Sequence, residues 1–379
     1  MKTTWLKYVA FGLAAVVLGA ACETEEGEAG FNYYVYATLA GSGKVAAFSM
    51  RSSSGRLSEV TGSPFAAGSA PQGIAAVTVN TSEVDVLGHY LYAANYFSDS
   101  VSAYTVDAAT GALTAVAGSP YAGGLGPFAM TIEPLGKFAY VANADGGNVW
   151  PYGIDPDTGG LSPFGTLAAA AGIHPSSVAV EPLGKFAYAA NEYSGQISAY
   201  AINAGSGELA AVAGSPFATG GYPRSIAVDP SGKFLYAANT TTRNVAAFAI
   251  DPATGALTVV AGSPYAAGNN AAAVAVDPSG QFVYVANMDS SNVSGYEINQ
   301  TTGALTAVTG SPFNTGAAPV ALSVDPSGRY LFVANYWTDD ISGFTIDSAT
   351  GALTEMSGSP FELALDSHPS SILAWRIAK

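Results

Sequence analysis

The chain is poor in the residues that crosslinks and most site chemistry need. A single cysteine, Cys22, stands among 379 residues, so no disulfide can form within the chain. Three histidines, no second cysteine and no HisxxxHis spacing argue against a zinc site. Charged residues make up only 11% of the sequence against 49% hydrophobic, a composition that does not suit long helices with solvated faces. Basic residues are scarcer still: 13 Lys and Arg face 28 Asp and Glu, for a net charge of −15. That balance argues against a nucleic-acid partner, because displacing counterions from phosphates takes clustered Lys and Arg. There is no GxSxG elbow, and GlySerGlyLys at 41–44 lacks the upstream Gly and following Ser or Thr of a phosphate loop. After the N-terminal segment no uninterrupted apolar run reaches about 18 residues, the length a spanning helix needs.

What is abundant is turn chemistry, with 44 Gly and 21 Pro, which fits many short strands joined by tight turns. The N-terminus departs from this pattern. Lys2 and Lys7 precede an apolar run from Tyr8 to Ala21, so residues 1–21 read as an export signal. Cys22 follows LeuGlyAlaAla, which resembles a bacterial lipobox, and is expected to carry the lipid. Residues 22–30, with four glutamates, read as an acidic tether. The chain is therefore expected to be exported and lipid-anchored in the bacterial cell envelope (periplasm or outer surface), or secreted, touching the membrane through that anchor alone.

From residue 31 to 379 the sequence repeats. Asn95, Asn143, Asn191, Asn239, Asn287 and Asn335 recur every 48 residues, and Gly111, Gly159, Gly207, Gly255, Gly303 and Gly351 keep the same period. Each unit carries four short β-prone runs, A to D, seen in Pro223 to Tyr265 as SerIleAlaVal, PheLeuTyrAlaAla, ValAlaAlaPheAlaIle and AlaLeuThrValVal. AspProSerGlyLys at 229–233 and AspProAlaThrGly at 251–255 supply hairpin turns, with Pro presetting φ and Gly providing φ > 0. The first segment, from Phe31, matches runs B, C and D but lacks A, whereas the last, from Pro369, matches A alone. The expected fold is all-β: a seven-bladed β-propeller of four-stranded antiparallel blades, closed by N-terminal strands B–D and a C-terminal strand A. A linear solenoid would need distinct capping repeats, and here the ends complement each other.

Strand A of such a ring lines the central channel, so the loops before A and the loops between B and C share one mouth. The recurring GlySerProPhe/Tyr before A reads as packing and turn, since repetition argues for structure. The exceptions to the repeat are the site candidates. Before or at the start of A stand His174, Ser176, Tyr222, Arg224 and His368; on the B to C loops stand Tyr96, Glu192, Tyr193 and Trp337. Arg224, His174 and Glu192 form the candidate catalytic set, with the carboxylate–imidazole pair to activate water and the guanidinium to polarise a carbonyl. Ser176, Tyr193, Tyr222, Tyr96, Trp337 and His368 are the candidate binding residues of the mouth. Asp155 and Asp157 have the spacing of a Ca²⁺ loop but sit in the turn shared by every unit, and no metal or cofactor is expected.

The unit AspProSerGlyLysPheLeuTyrAlaAlaAsn, followed by ValAlaAlaPheAlaIleAspProAlaThrGlyAlaLeu, resembles the seven-bladed lactonase family that includes bacterial 6-phosphogluconolactonases and a fungal muconate cycloisomerase, and the related YVTN repeats. Members carry HisxHisSer at one strand A and ProArgHis in the next blade, then AsnGlu after strand B of that same blade. Here these read His174 Pro175 Ser176 Ser177 and Pro223 Arg224 Ser225, with the AsnGlu pair at Asn191 and Glu192, one blade early. The resemblance implies hydrolysis of a small lactone, and the chain is expected to be a monomer. A non-catalytic envelope propeller that binds a glycan or protein is the alternative, marked by a flat aromatic rim in place of a converging pocket.

Overall fold

The structure, a computed structural model, describes residues 30–81, 86–163 and 169–378. Cys22, the export signal and all of the tether but Gly30 lie outside the described residues. Among the described residues no helix is long and apolar enough to cross a membrane.

Seven antiparallel sheets follow one another around a ring. In blade 4 the path is A (Pro223–Val228), B (Phe234–Asn239), C (Asn244–Ile250) and D (Leu257–Val259). Blades 1, 2, 3, 5 and 6 begin their A strands at Pro71, Pro127, Pro175, Ala271 and Pro319. Blade 7 joins the termini: Phe31–Leu39, Lys44–Met50 and Leu57–Glu59 supply B, C and D, and Pro369–Ala378 supplies A. Phe31 pairs with Ala378 and Leu39 with Pro369, so the closing ladder runs the full length of both strands. Each A strand contacts the next around the circle, blade 7 to blade 1 included. Closure covers apolar faces that a lone blade would expose.

The GlySerPro segments do more than turn. Each of the pairs that follow, Phe65–Ala66 for example, opens on an aromatic and adds a two-residue strand to the start of strand C, beside D. The serine bridges the gap between the two short strands. In blade 4 the Ala247 amide donates to Ser263 Oγ at 2.9 Å, and the same bond recurs at Ser63, Ser119, Ser215, Ser311 and Ser359. An amide on the outer edge that would otherwise lack a ladder partner is thereby satisfied.

Neighbouring blades are tied by tyrosines. Tyr236 on strand B of blade 4 donates its buried hydroxyl to the carbonyl of Gly303 in the C to D turn of blade 5, at 3.1 Å. Tyr36, Tyr92, Tyr140, Tyr188 and Tyr284 repeat this bond. Between blades 6 and 7 the equivalent residue is Phe332. Here Arg329 Nη2 and the Tyr330 hydroxyl instead donate to the Ser52 carbonyl, at 2.5 and 3.0 Å.

Candidate functional site

The inner wall is built by a bulge repeated in every blade. Strand A begins one residue before a break in register: Pro223 pairs with Asn239 and Ser225 with Ala238, leaving Arg224 outside the ladder. The same break skips Gln72, Phe128, Ser176, Ala272, Val320 and Ser370. A bulge re-aims the extra side chain, and all seven of these residues line the central channel. Arg224 is the one charged member. The residues that follow are small, as at Gly73, where a Cβ would come within 2.8 Å of Ala129 Cα. Seven A strands therefore crowd close enough for serines to stitch them: the Ile226 amide donates to Ser177 Oγ at 3.2 Å.

Above this ring lie the loops entering A and those between B and C, together at one mouth as the repeat predicts. Buried asparagines hold them down. At the end of strand B in blade 1, Asn95 accepts from the Gly68 amide through Oδ1 and donates to Ser102 Oγ through Nδ2. The residue before A has positive φ in six blades. In blade 3 it is His174 (φ 58°), in blade 7 His368 (φ 48°), and elsewhere Ala70, Gly126, Asn270 and Ala318. The conformation belongs to the turn, and the turn sets where each imidazole stands. Arg243 also holds positive φ, at 54°, on the B to C loop of blade 4.

Arg224 reaches beyond the channel into a cavity of about 500 Å³ on the mouth, where Glu192, Tyr193, Tyr222, Arg243 and Asp289 join it in the wall. Its guanidinium has no carboxylate within ion-pair distance among the described residues. His174 lies behind Glu192. The Glu192 amide donates to the His174 carbonyl at 3.0 Å, and His174 Nδ1 lies 3.4 Å from Glu192 Oε2. That nitrogen is buried with no hydrogen bond, so the contact is one of charge distance and lacks hydrogen-bond alignment. His174 stacks on Tyr193 with ring centroids 4.3 Å apart.

The structure thus places Glu192 and Arg224 on one cavity, with His174 against the carboxylate and outside the cavity lining. Ser176 faces the channel, but its hydroxyl is committed to backbone, donating to the Arg224 carbonyl at 2.9 Å and towards the Pro223 carbonyl at 3.3 Å. Tyr193 and Tyr222 rim the cavity. Tyr96, in blade 1, donates to Asp145 Oδ1 at 2.9 Å; partial burial and that carboxylate raise its phenol pKa. Trp337 and His368 belong to the opposite arc, at blades 6 and 7. His368 stacks on Tyr336, its Nδ1 lies 3.1 Å from the Tyr336 carbonyl and 3.5 Å from Asp339 Oδ1, and Asp339 also accepts the His368 amide. Sequence reasoning overlooked Phe97, 74% exposed on the mouth. Its signal was available, because Phe97 stands two residues after the strand B asparagine, the position that Tyr193 and Trp337 hold in blades 3 and 6.

Among the described residues no three His, Cys, Asp or Glu side chains converge as metal ligands.

A family model described as lactonase, 7-bladed β-propeller, matches residues 31–173, 165–268 and 259–362. Solved structures similar to this chain include a candidate 6-phosphogluconolactonase from Bacteroides uniformis, 20% identical, with a TM-score of 0.76 over 91% of this chain and 99% of that one. A second candidate 6-phosphogluconolactonase, from Bacteroides fragilis, is 23% identical with a TM-score of 0.74, covering 91% and 98%. The periplasmic gluconolactonase of Pseudomonas aeruginosa is 19% identical with a TM-score of 0.72, covering 92% and 99%. At these identities the likeness is one of fold. No curated protein matches the chain.

Proposed function

The chain belongs to the seven-bladed β-propeller lactonase family, and from that premise we propose that it is an exported hydrolase opening the ring ester of a small lactone at the channel mouth. The observation that carries this reading is the unpaired Arg224 guanidinium facing the same cavity as Glu192. In ester opening, water attacks the carbonyl carbon, the ring C–O bond breaks, and the departing alkoxide takes a proton to give a hydroxy acid. Arg224 donates N–H bonds to the carbonyl oxygen, where negative charge develops. Glu192 takes the proton of the attacking water and returns it to the alkoxide. His174, at 3.4 Å, positions that carboxylate. The low basic content of the chain makes a free arginine at the mouth the more telling.

An anchor at Cys22 sets the orientation. Strand B of blade 7 runs from Phe31 at the far face to Leu39 at the mouth, so a chain anchored at Cys22 enters the ring on the face opposite the site.

The second reading, a non-catalytic propeller binding an envelope glycan or protein, is favoured by a different observation. Phe97, Leu125, Ile173, Tyr193, Trp337 and Leu365, each more than half exposed, all stand on the mouth loops. The two readings part on turnover. A pH-stat screen of the Cys22-truncated chain against aliphatic, sugar and aromatic lactones should show hydrolysis that Arg224→Ala lowers about 10²- to 10³-fold. No turnover on any lactone would leave the binding propeller standing.

A further inference from the structure

Five rings form an unbroken row along one arc of the mouth. Phe97 meets Tyr96 edge to face at 5.1 Å, Tyr96 meets Phe128 at 6.0 Å and 87°, and Phe128 meets His174 at 5.6 Å and 61°. His174 then stacks on Tyr193. The row crosses blades 1, 2 and 3 and ends at the wall of the Arg224 cavity, which Tyr193 shares. Its two terminal rings are its most open ones, Phe97 at 74% and Tyr193 at 55%. Closure of the ring requires none of this exposure, since the blades seal through strands A to D. Apolar faces held in water without a partner mark a binding surface.

The polar groups beside the row identify what it suits. Asp145 accepts from the Tyr96 hydroxyl through Oδ1 and is otherwise exposed to solvent, and Glu192 adjoins Tyr193. Aromatic faces flanked by carboxylate acceptors match a neutral pyranose ring, whose C–H face packs on the rings while its hydroxyls donate to the carboxylates. An aryl ligand would cover the same rings but strip water from those carboxylates with no donor to replace it.

We propose that the row from Phe97 to Tyr193 is a glycosyl subsite, holding a neutral pyranose joined to the lactone beside Arg224. The substrate class is then the lactone of an aldonic acid that carries a further sugar. This identification rests on the lactonase reading, whereas the subsite itself can be tested without it.

The test uses methyl β-cellobioside, methyl β-maltoside and methyl β-lactoside, which have the sugar faces but no lactone ring. Each is titrated by calorimetry and by saturation-transfer NMR into the Cys22-truncated chain. At least one should bind, and Phe97→Ala should weaken it about tenfold. Phe97→Leu, which keeps apolar bulk but has no ring face, should weaken it as well, in protein whose melting curve matches the parent. Failure of all three glycosides to bind overturns the subsite, as does binding that survives Phe97→Ala and is lost on Trp337→Ala. Glycoside binding without turnover on any lactone supports the subsite and sinks the lactonase reading. Turnover of glucono-lactone with no glycoside binding does the reverse.

Discussion

Ser176 donates its hydroxyl hydrogen to the backbone carbonyl of Arg224, 2.9 Å away in the next blade. Both residues occupy the bulge of their own strand A, so the bond joins equivalent points of blades 3 and 4 and fixes the backbone from which the arginine side chain departs. A residue picked out of the sequence as a ligand of the mouth is in this way a support for another.

The first prediction follows from that bond. Ser176→Ala frees the Arg224 carbonyl and loosens the bulge without touching the guanidinium. Lactone turnover is expected to fall about 5- to 20-fold, less than on removal of the arginine itself, because a small misplacement of a polarising group is costly. A loss carried by kcat with KM little changed marks positioning; unchanged turnover would show that the bulge holds Arg224 unaided.

At the joint between blades 4 and 5, Tyr236→Phe leaves the Gly303 carbonyl without its donor and should cost about 1–2 kcal/mol. The complementary change is Phe332→Tyr, at the joint where the tyrosine hydroxyl is absent. It should raise stability by about 0.5–1.5 kcal/mol if the new hydroxyl reaches the turn carbonyl as it does elsewhere. Midpoints of urea unfolding compare the pair, and a lower midpoint for Phe332→Tyr would mean that the seam is packed too tightly for the added oxygen.

The third concerns acid. His89, on the lengthened strand B of blade 1, is buried against Trp375 of blade 7, and Thr78 Oγ1 lies 3.0 Å from its Nδ1. Burial lowers its pKa from 6.5, favouring the neutral imidazole. A depressed folded-state pKa contributes stability that is whole above 6.5 and is lost as pH falls through the folded value. Asp107, Asp251 and Asp347, held below 3.8 chiefly by bonds within their turns, lose theirs only in stronger acid. Melting temperature should therefore begin to fall just below 6.5, and His89→Gln should remove that first step while leaving the one in stronger acid.

The ring was legible because its markers are rigid requirements. Asn at the end of strand B, Gly in the C to D turn and Asp or Glu before the A to B turn each satisfy backbone groups that any blade must satisfy. Asp229, for example, accepts the amides of Lys233 and Phe234. Two-residue strands after GlySerPro were not legible, since two residues carry no periodicity and Ser-Pro reads as a turn. The tyrosines recur visibly, but their acceptors lie 67 residues ahead in the next blade, or 75 for Tyr36, a span that no local pattern encodes. At the mouth, His174 and Glu192 were recognisable as exceptions flanking one pair of strands. The row of rings was not, because Phe97, Phe128 and Tyr193 lie in three different blades and meet only once the ring has closed.

The bulge at the head of each A strand has an evolutionary consequence. Its extra residue stands outside the hydrogen-bond ladder, so its identity is released from the demands that hold its neighbours nearly constant. A duplicated module can then diverge at that one point, blade by blade, without loss of the sheet. Gln72, Phe128, Ser176, Arg224, Ala272, Val320 and Ser370 are seven such letters written on one repeated scaffold. New specificities are reached by respelling them.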